Sequence, residues 1–523
     1  MSYFTFLGHP MNLRRCLSFL VVCAISMFLA FVPSSFYGIN PDTGMPFLTL
    51  TQQRVVAIFV FTALMWILEV IPTWTTSVIA IVSILLTTSN KGLGFLISSQ
   101  ADPMLENPDV LNQLADKGIK VADAVEKAPN VLGLTNYKDI MASFADPVIM
   151  LFLGGFVLAF AATKVGLDVQ LAKVMLKPFG NKPKNVLLGV LLVIGTFSMF
   201  MSNTATAAMM LTFLTPVLMS LPADGGGRIS LALAIPIAAN IGGMGTPIGT
   251  PPNAIALGEL SKNGVDITFV DWMIRMVPLV IVLLLIAWFI LLKKFPFKAK
   301  TIELKIEAKP TKTTPFQKYV VWVTFALTII LWVGESIFKV NSNIVAMIPF
   351  AVFSGTGILK SRDLEKINWS VLWMVAGGFA LGTALKQTGL ADTLIKAIPF
   401  ESMDAFVVMA LGGLICYLLS NFISNSAAAN LVVPILAVAA TALLDSDNPE
   451  IVSNFQSLGG LPAMLIGIAI AASVAMCLPV STPPNALAHS TGMITTKQMA
   501  SMGIILGVIG LVLGYAMLIF VGF

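Results

Sequence analysis

This sequence predicts an all-α polytopic membrane protein made of two related halves. Three observations carry that prediction: an apolar composition, an internal repetition of motifs in order, and two proline-rich breaks inside apolar sequence. Hydrophobic residues make up 57% of the 523 and charged residues 11%, where soluble domains carry about 25% charged. Runs such as MVPLVIVLLLIAWFILL (276–292) and MGIILGVIGLVLGYAMLIFVGF (502–523) approach the ~20 residues that cross a bilayer. No stretch is left for a large separate soluble domain.

The repetition is read from four motif pairs. WILE (66–69) returns as WVGE (332–335), and GGFVLAFAATKVGL (154–167) returns as GGFALGTALKQTGL (377–390). SNTATAA (202–208) returns as SNSAAAN (424–430), and PIGTPPNA (247–254) as PVSTPPNA (479–486). The preserved order indicates duplication. The spacing shrinks between the first two pairs, so the first half carries about 43 extra residues. The polar stretch from Asn90 to about residue 140 accounts for them and reads as an extramembrane insertion.

The elements follow in order. Residues 1–45 hold a first helix near 17–38. Its arginine-flanked apolar start resembles a signal peptide but lacks an A-x-A cleavage site, so it is expected to stay as a membrane helix. Repeat 1 covers 46–292, with spans near 52–71, 73–89 and 147–163, a hairpin at 186–221, a broken helix at 230–257 and a span at 272–292. A basic linker, 293–318, is expected on the cytoplasmic side. Repeat 2 covers 319–523, with spans near 319–338, 343–359 and 370–385, a hairpin at 405–443, a broken helix at 461–488 and a last span at 499–523. That makes about 11 membrane helices plus two re-entrant hairpins, each hairpin segment being judged too short for two full crossings.

Lysine and arginine orient the chain. With the N-terminus cytoplasmic, 20 of the 31 basic residues fall inside, eight of them in the linker, and the insertion falls outside. The C-terminus is then external. The odd number of spans between the halves inverts the second repeat relative to the first, a pattern of secondary transporters. An integral plasma-membrane location follows, in a bacterium the inner membrane.

The breaks and hairpins are the candidate site. A backbone that leaves the helix inside lipid strands its polar groups unless protein or a water-filled cavity satisfies them. The N-terminal end of a half-helix favours an anion, and its C-terminal carbonyls favour a cation. Pro251 and Pro483 end helix continuation, while Thr250, Asn253, Thr482 and Asn485 add short polar groups. In the hairpins, Ser202, Asn203 and Thr204 match Ser424, Asn425 and Ser426. Serine and asparagine suit the start of a second helical arm, and they bind a carboxylate as neutral donors or sodium as oxygen ligands. Ser198 and Ser420 sit four residues ahead of each motif.

Other chemistry is poorly served. Cys16, Cys23, Cys416 and Cys477 show no CxxC spacing and read as buried free thiols. With His9 and His489 the only histidines, and no HExxH or GxSxG, neither a histidine metal centre nor an enzyme is expected. No organic cofactor and no nucleic-acid partner is implied. The tips and breaks contain no Asp or Glu, so sodium coupling is expected in preference to a proton relay. Glu69 and Glu335, the symmetric acids, read as structural.

These motifs resemble the divalent-anion/sodium symporter family, which includes the INDY-type di- and tricarboxylate carriers, and the resemblance extends from about residue 50 to the end. It implies a homodimer with a scaffold domain and a transport domain that moves as an elevator. It implies a substrate site at Ser202, Asn203, Thr204, Ser424, Asn425 and Ser426, lined by Thr250, Pro251, Thr482 and Pro483. One sodium site would use Ser198, Ser202, Asn203 and backbone near Gly245, the other Ser420, Asn425 and backbone near Ala475. Ser426 stands where threonine is commoner in the family. The expected function is sodium-coupled symport of C4-dicarboxylates such as succinate, malate or fumarate. A sodium-independent dicarboxylate exchanger and a citrate or sulfate carrier are the alternatives.

Overall fold

The computed structural model describes residues 4–6, 9–11, 13–39, 46–222, 225–302, 313–397 and 403–522. Linker residues 303–312, with Lys305, Lys309 and Lys312, lie outside the described residues. Among the described residues the chain is mainly helical, with two three-residue strands, Phe4–Phe6 and His9–Met11, paired antiparallel near the start. Among the described residues, eight helices are long and apolar enough to cross a membrane, or nine if the bent pair Pro449–Ser457 and Gly460–Val474 forms one span. Three shorter apolar segments, Thr73–Thr87, Ser342–Gly355 and Ala405–Ser420, accompany them.

The hairpin arms are Pro183–Phe200 with Asn203–Ser220, and Ala405–Ser420 with Asn425–Leu444. Pro183–Phe200 and Asn425–Leu444 are each long enough to cross by themselves, because 18 residues at 1.5 Å per residue reach about 27 Å. Their partner arms, Asn203–Ser220 and Ala405–Ser420, are not among the eight candidate spans, so within each hairpin one arm is long and apolar enough to cross.

The chain forms two compact units. The first gathers Met1–Asp146, Ser370–Asp404 and Val433–Val452. Helix Leu13–Phe31 packs on Leu50–Leu68 through a small core of Val22, Met65, Val70 and Ile71. The remaining faces of Leu13–Phe31 expose Leu17, Val21, Met27, Phe28 and Phe31, as a helix seen by lipid would. The insertion is folded, with helices Gly94–Leu105, Pro108–Asp116 and Tyr137–Ala142. It has its own core, including Ala101, Val110, Leu114, Leu132 and Leu134. Arg54 ties it down by donating to the carbonyls of Thr87 and Leu96, both at 3.2 Å, and to Ser99 Oγ at 3.1 Å.

The second unit gathers Pro147–Trp369, Ala405–Val432 and Ser453–Phe523, and it contains every residue of the candidate site. Glycine allows its helices to approach. A Cβ on Gly242 would lie 2.5 Å from the Cα of Gly195, and one on Gly154 would lie 2.1 Å from the carbonyl of Ala346. Small residues at such crossings bring backbones into contact.

Local devices recur between the two sequence halves. Thr49 with Gln52, and Thr314 with Gln317, form capping boxes that open helices Leu50–Leu68 and Pro315–Val333. Trp66 Nε1 donates to the Thr73 carbonyl at 3.2 Å, and Trp332 Nε1 to the Ser342 carbonyl at 3.0 Å. Lys164 and Gln387 occupy equivalent places in the paired glycine-glycine motifs. Lys164 Nζ meets Asp363 Oδ2 at 2.5 Å, while Gln387 Nε2 meets Asp139 Oδ2 at 2.6 Å. Glu335 accepts from the backbone N–H of Phe269 at 3.2 Å and of Ser342 at 3.1 Å. Glu335 thereby caps the start of Phe269–Lys294 and of Ser342–Val345. The four cysteines are free, and Cys23 is half-buried where the sequence suggested full burial.

Candidate functional site

Each hairpin turns at its Ser-Asn pair. Ser202 and Ser424 have their Oγ atoms 3.3 Å from the N–H groups of Ala205 and Ala427, so each serine caps the second arm and satisfies one orphan donor. In the first hairpin, Ser198 Oγ lies 2.6 Å from the Ala239 carbonyl and 2.7 Å from the Asn203 side-chain amide. A hydroxyl has one proton. With that proton given to Ala239, the Asn203 amide nitrogen donates to Ser198 Oγ and reaches the Gly249 carbonyl at 3.2 Å. In the second hairpin, Ser420 Oγ donates to Asn425 Oδ1 at 2.8 Å, with the Ala472 carbonyl at 3.2 Å.

Both proline-containing stretches interrupt a helix. Helix Gly226–Gly243 stops, and Pro251–Lys262 begins with Pro251 in its first turn and Thr250 at its N-cap. Helix Gly460–Val474 stops, and Pro483–Ser490 begins in the same way after Thr482. Proline at the first helical position loses no hydrogen bond. The carbonyls left over in each break go to an asparagine. Asn253 Nδ2 donates to Gly243 at 3.0 Å and Thr246 at 2.8 Å. Asn485 Nδ2 donates to Met476 at 2.8 Å and Leu478 at 3.0 Å. Both asparagines are buried. Their place is behind the backbone rather than in front of it.

Glycine is required in the first break. A Cβ on Gly249 would lie 2.3 Å from the Gly243 carbonyl and 2.9 Å from that of Ser198. Ala239, Gly243 and Gly249 are the backbone positions that meet the Ser198–Asn203 pair, flanking Gly245, which packs on Met199. In the second break Ala475 is buried and extended, between the Ala472 carbonyl used by Ser420 and the Met476 carbonyl used by Asn485.

The structure adds residues that the sequence reading passed over. Asn240 donates from Nδ2 to Thr482 Oγ1 and Asn485 Oδ1, both at 3.1 Å, so the first broken helix holds the second break. Asn421 Oδ1 accepts from the Cys477 N–H at 2.9 Å, and its carbonyl accepts from Ser481 Oγ at 2.9 Å. Thr246 Oγ1 donates to the Met199 carbonyl. A lone asparagine in LALAIPIAANIGG was the available signal for Asn240, since a buried amide in such a helix needs partners.

The tips differ in exposure. Thr204 is exposed and Ser202 and Asn203 are partly exposed, whereas Asn425 and Ser426 are buried. Among the described residues no hydrogen bond joins the two tips. Pro251 is partly exposed and Pro483 exposed, while Thr250 and Thr482 are buried. Ser202 lines a cavity of about 220 Å³ together with Phe156, Phe160, Thr163, Lys366 and Asn368. Behind Lys366 stands Asp363, which also accepts from the Lys360 N–H at 3.0 Å. Burial works to raise the Asp363 pKa, but Lys164 and that N–H outweigh it and hold the carboxyl below its usual range.

A family profile described as citrate transporter (CitMHS) matches residues 119–453, a stretch with both hairpin tips and the first break. The chain is 34% identical over 404 residues to an uncharacterized transporter of Haemophilus influenzae, covering 72% of this chain and 82% of that one. It is 30% identical over 408 residues to the sodium-dependent dicarboxylate transporter SdcS of Staphylococcus saprophyticus, covering 70% and 75%. It is 32% identical over 316 residues to the low-affinity phosphate transporter PHO90 of Saccharomyces cerevisiae, covering 60% of this chain and 34% of that longer protein.

Proposed function

The chain belongs to the citrate transporter (CitMHS) family of membrane transporters, within the divalent-anion/sodium symporters, and from that premise we propose that it couples sodium to the symport of C4-dicarboxylates such as succinate, malate or fumarate. The single observation behind this reading is the pairing of Ser-Asn hairpin starts with broken-helix carbonyls, made twice with neutral groups. Each tip offers a capped helix N-terminus, which favours a carboxylate. Behind each tip stands a set of serine, asparagine and backbone oxygens, the ligand type that a hard cation takes.

In this reading Ser202, Asn203 and Thr204 with Ser424, Asn425 and Ser426 take the two carboxylates, with Thr250, Pro251, Thr482 and Pro483 alongside. One sodium ion is held by Ser198, Ser202, Asn203 and backbone near Gly245, the other by Ser420, Asn425 and backbone near Ala475. Sodium at the first set would turn the Asn203 amide oxygen toward the ion, breaking the amide's bond to Ser198. Because the tips carry no cation, bound sodium supplies the charge that offsets the dianion. The repeats are inverted, the protein is a homodimer with its N-terminus cytoplasmic, and an elevator movement of the transport domain carries the site across. The SdcS relative supports the ion and the substrate class.

A second reading is favoured by the phosphate-transporting relative: an inorganic oxyanion as substrate at the same tips. Radiolabelled succinate uptake into proteoliposomes decides between them. An inward sodium gradient is compared with potassium or choline, with and without internal succinate, and with phosphate, citrate and sulfate as competitors. Sodium-dependent uptake into empty vesicles is expected. Uptake only into succinate-loaded vesicles, indifferent to sodium, would make the protein an exchanger. Phosphate uptake without succinate uptake would replace the substrate.

A further inference from the structure

We propose that Lys366 is a specificity-determining residue of this carrier, adding a positive charge beside the carboxylate that the first hairpin tip takes, in the cavity it lines together with Ser202. This rests on the anion-carrier reading above and deepens it. The tips and breaks hold no cationic side chain, yet Lys366 and Ser202 line one cavity of about 220 Å³. Among the lining side chains Lys366 is the one with a positive charge, and Thr163 and Asn368 add neutral polar groups beside it.

The local charge balance leaves Lys366 available. Asp363 is engaged by Lys164 at 2.5 Å, and the Lys164 side chain is 29% exposed. Lys366 is farther from the same carboxylate, at 3.6 Å, and its side chain is 65% exposed. Two ammonium groups thus face one carboxylate, and the surplus positive charge sits at the cavity wall. The Phe160 ring centroid lies 5.6 Å from Lys366 Nζ, a distance at which the ring face holds a cation. The backbone under Lys366 is pinned: its N–H donates to the Asp363 carbonyl at 3.1 Å, and Trp369 Nε1 donates to the Leu364 carbonyl at 2.7 Å. The base is fixed, and the ammonium, 3.6 Å from Asp363 and beside the Phe160 ring, stands at the cavity wall. A water-filled setting screens such a charge, so its contribution is selective rather than large.

The test is equilibrium binding of radiolabelled succinate to the purified full-length protein in detergent with saturating sodium. Lys366→Gln is expected to raise Kd about threefold to tenfold without changing the melting temperature, and Lys366→Arg to restore it. Raising choline chloride at fixed sodium should weaken wild-type binding and leave Lys366→Gln nearly flat. A monoanionic half-amide of succinate should bind both proteins alike. An unchanged Kd in Lys366→Gln, or a loss that Lys366→Arg does not repair and that salt does not modulate, would overturn the assignment. Should Lys366→Gln fail to fold, Asn368→Asp adds a carboxylate to the same wall without touching the Asp363 pair. It is expected to weaken dianion binding, and no effect there counts against the proposal. Wild-type protein that binds no succinate, phosphate, citrate or sulfate would sink the functional reading and this one with it. Binding of phosphate alone would replace the substrate, and a phosphate Kd unchanged in Lys366→Gln would then overturn the assignment.

Discussion

The first and second breaks use the same parts and are held unequally. In both, an asparagine two positions beyond its proline closes the gap by donating to two stranded carbonyls. At the second break, Thr482 Oγ1 also accepts from the Asn485 N–H at 3.3 Å, and Asn240 of the other half donates to both residues. At the first break, Thr250 makes no side-chain cap bond and Asn253 Oδ1 is buried without a partner. The counterpart of Asn240 is Ser473, counting from the carbonyls of Ala239 and Ala472 that the paired serines use. Ser473 is also buried with its Oγ unpartnered. Serine is shorter than asparagine, so one half reaches across and the other does not. The lesson is that duplication supplies equivalent positions, and a change of one side chain makes one break firmer than the other.

The tips reverse that order, the first being the more exposed and the second the more buried. The largest expected effect tests whether they are nonetheless equivalent in use. Asn203→Ala and Asn425→Ala should each abolish uptake in proteoliposomes while the proteins keep their size-exclusion profile and melt near wild type. Wild-type uptake in either would remove that tip from the site.

Next come the breaks themselves. Asn253→Ala and Asn485→Ala each strand two buried carbonyls, at about 1–3 kcal/mol per group. Asn485→Ala also removes an acceptor of Asn240, so it should lower the melting temperature further than Asn253→Ala by scanning fluorimetry. Equal losses would mean that the extra bond adds nothing. Asn240→Ala should cost about 1–3 kcal/mol, with faster amide exchange confined to 476–485. Exchange that quickens equally at 244–253 would show the two breaks to be coupled. The smallest effect belongs to Ser473→Ala, which deletes a hydroxyl without a partner and should change stability by within about 0.5 kcal/mol. A larger loss would reveal a hydrogen bond through bound water that pairs Ser473 after all.

Much of this was legible in the sequence because the signals were strong and local. Apolar runs marked the helices, and a Pro-Pro pair inside such a run marks an interruption whatever surrounds it. Ser202 and Ser424 were legible as helix starts for the same reason, since capping depends on three or four consecutive residues. The lengths of the hairpin arms were less legible, because a Ser-Asn pair fixes where the chain turns but says nothing about how far each arm runs. The insertion was located by its polarity, but its separate core was hidden, because Ala101 and Leu114 from two short helices meet Leu132 of the turn Pro129–Leu132 only once the segment folds.

By itself, the sequence determined a helical membrane protein with duplicated motifs, two breaks, and neutral polar residues at each hairpin turn. Those depend on composition and on neighbours along the chain. Only the tertiary structure decided that Asn253 and Asn485 brace backbone rather than face the cavity, and that Asn240 serves the other half's break. It also decided which lysine neutralises Asp363 and which is left beside Ser202. Each of those outcomes depends on which buried donor finds which acceptor across residues 5 to 245 positions apart, a pairing set by packing and desolvation that no local pattern encodes.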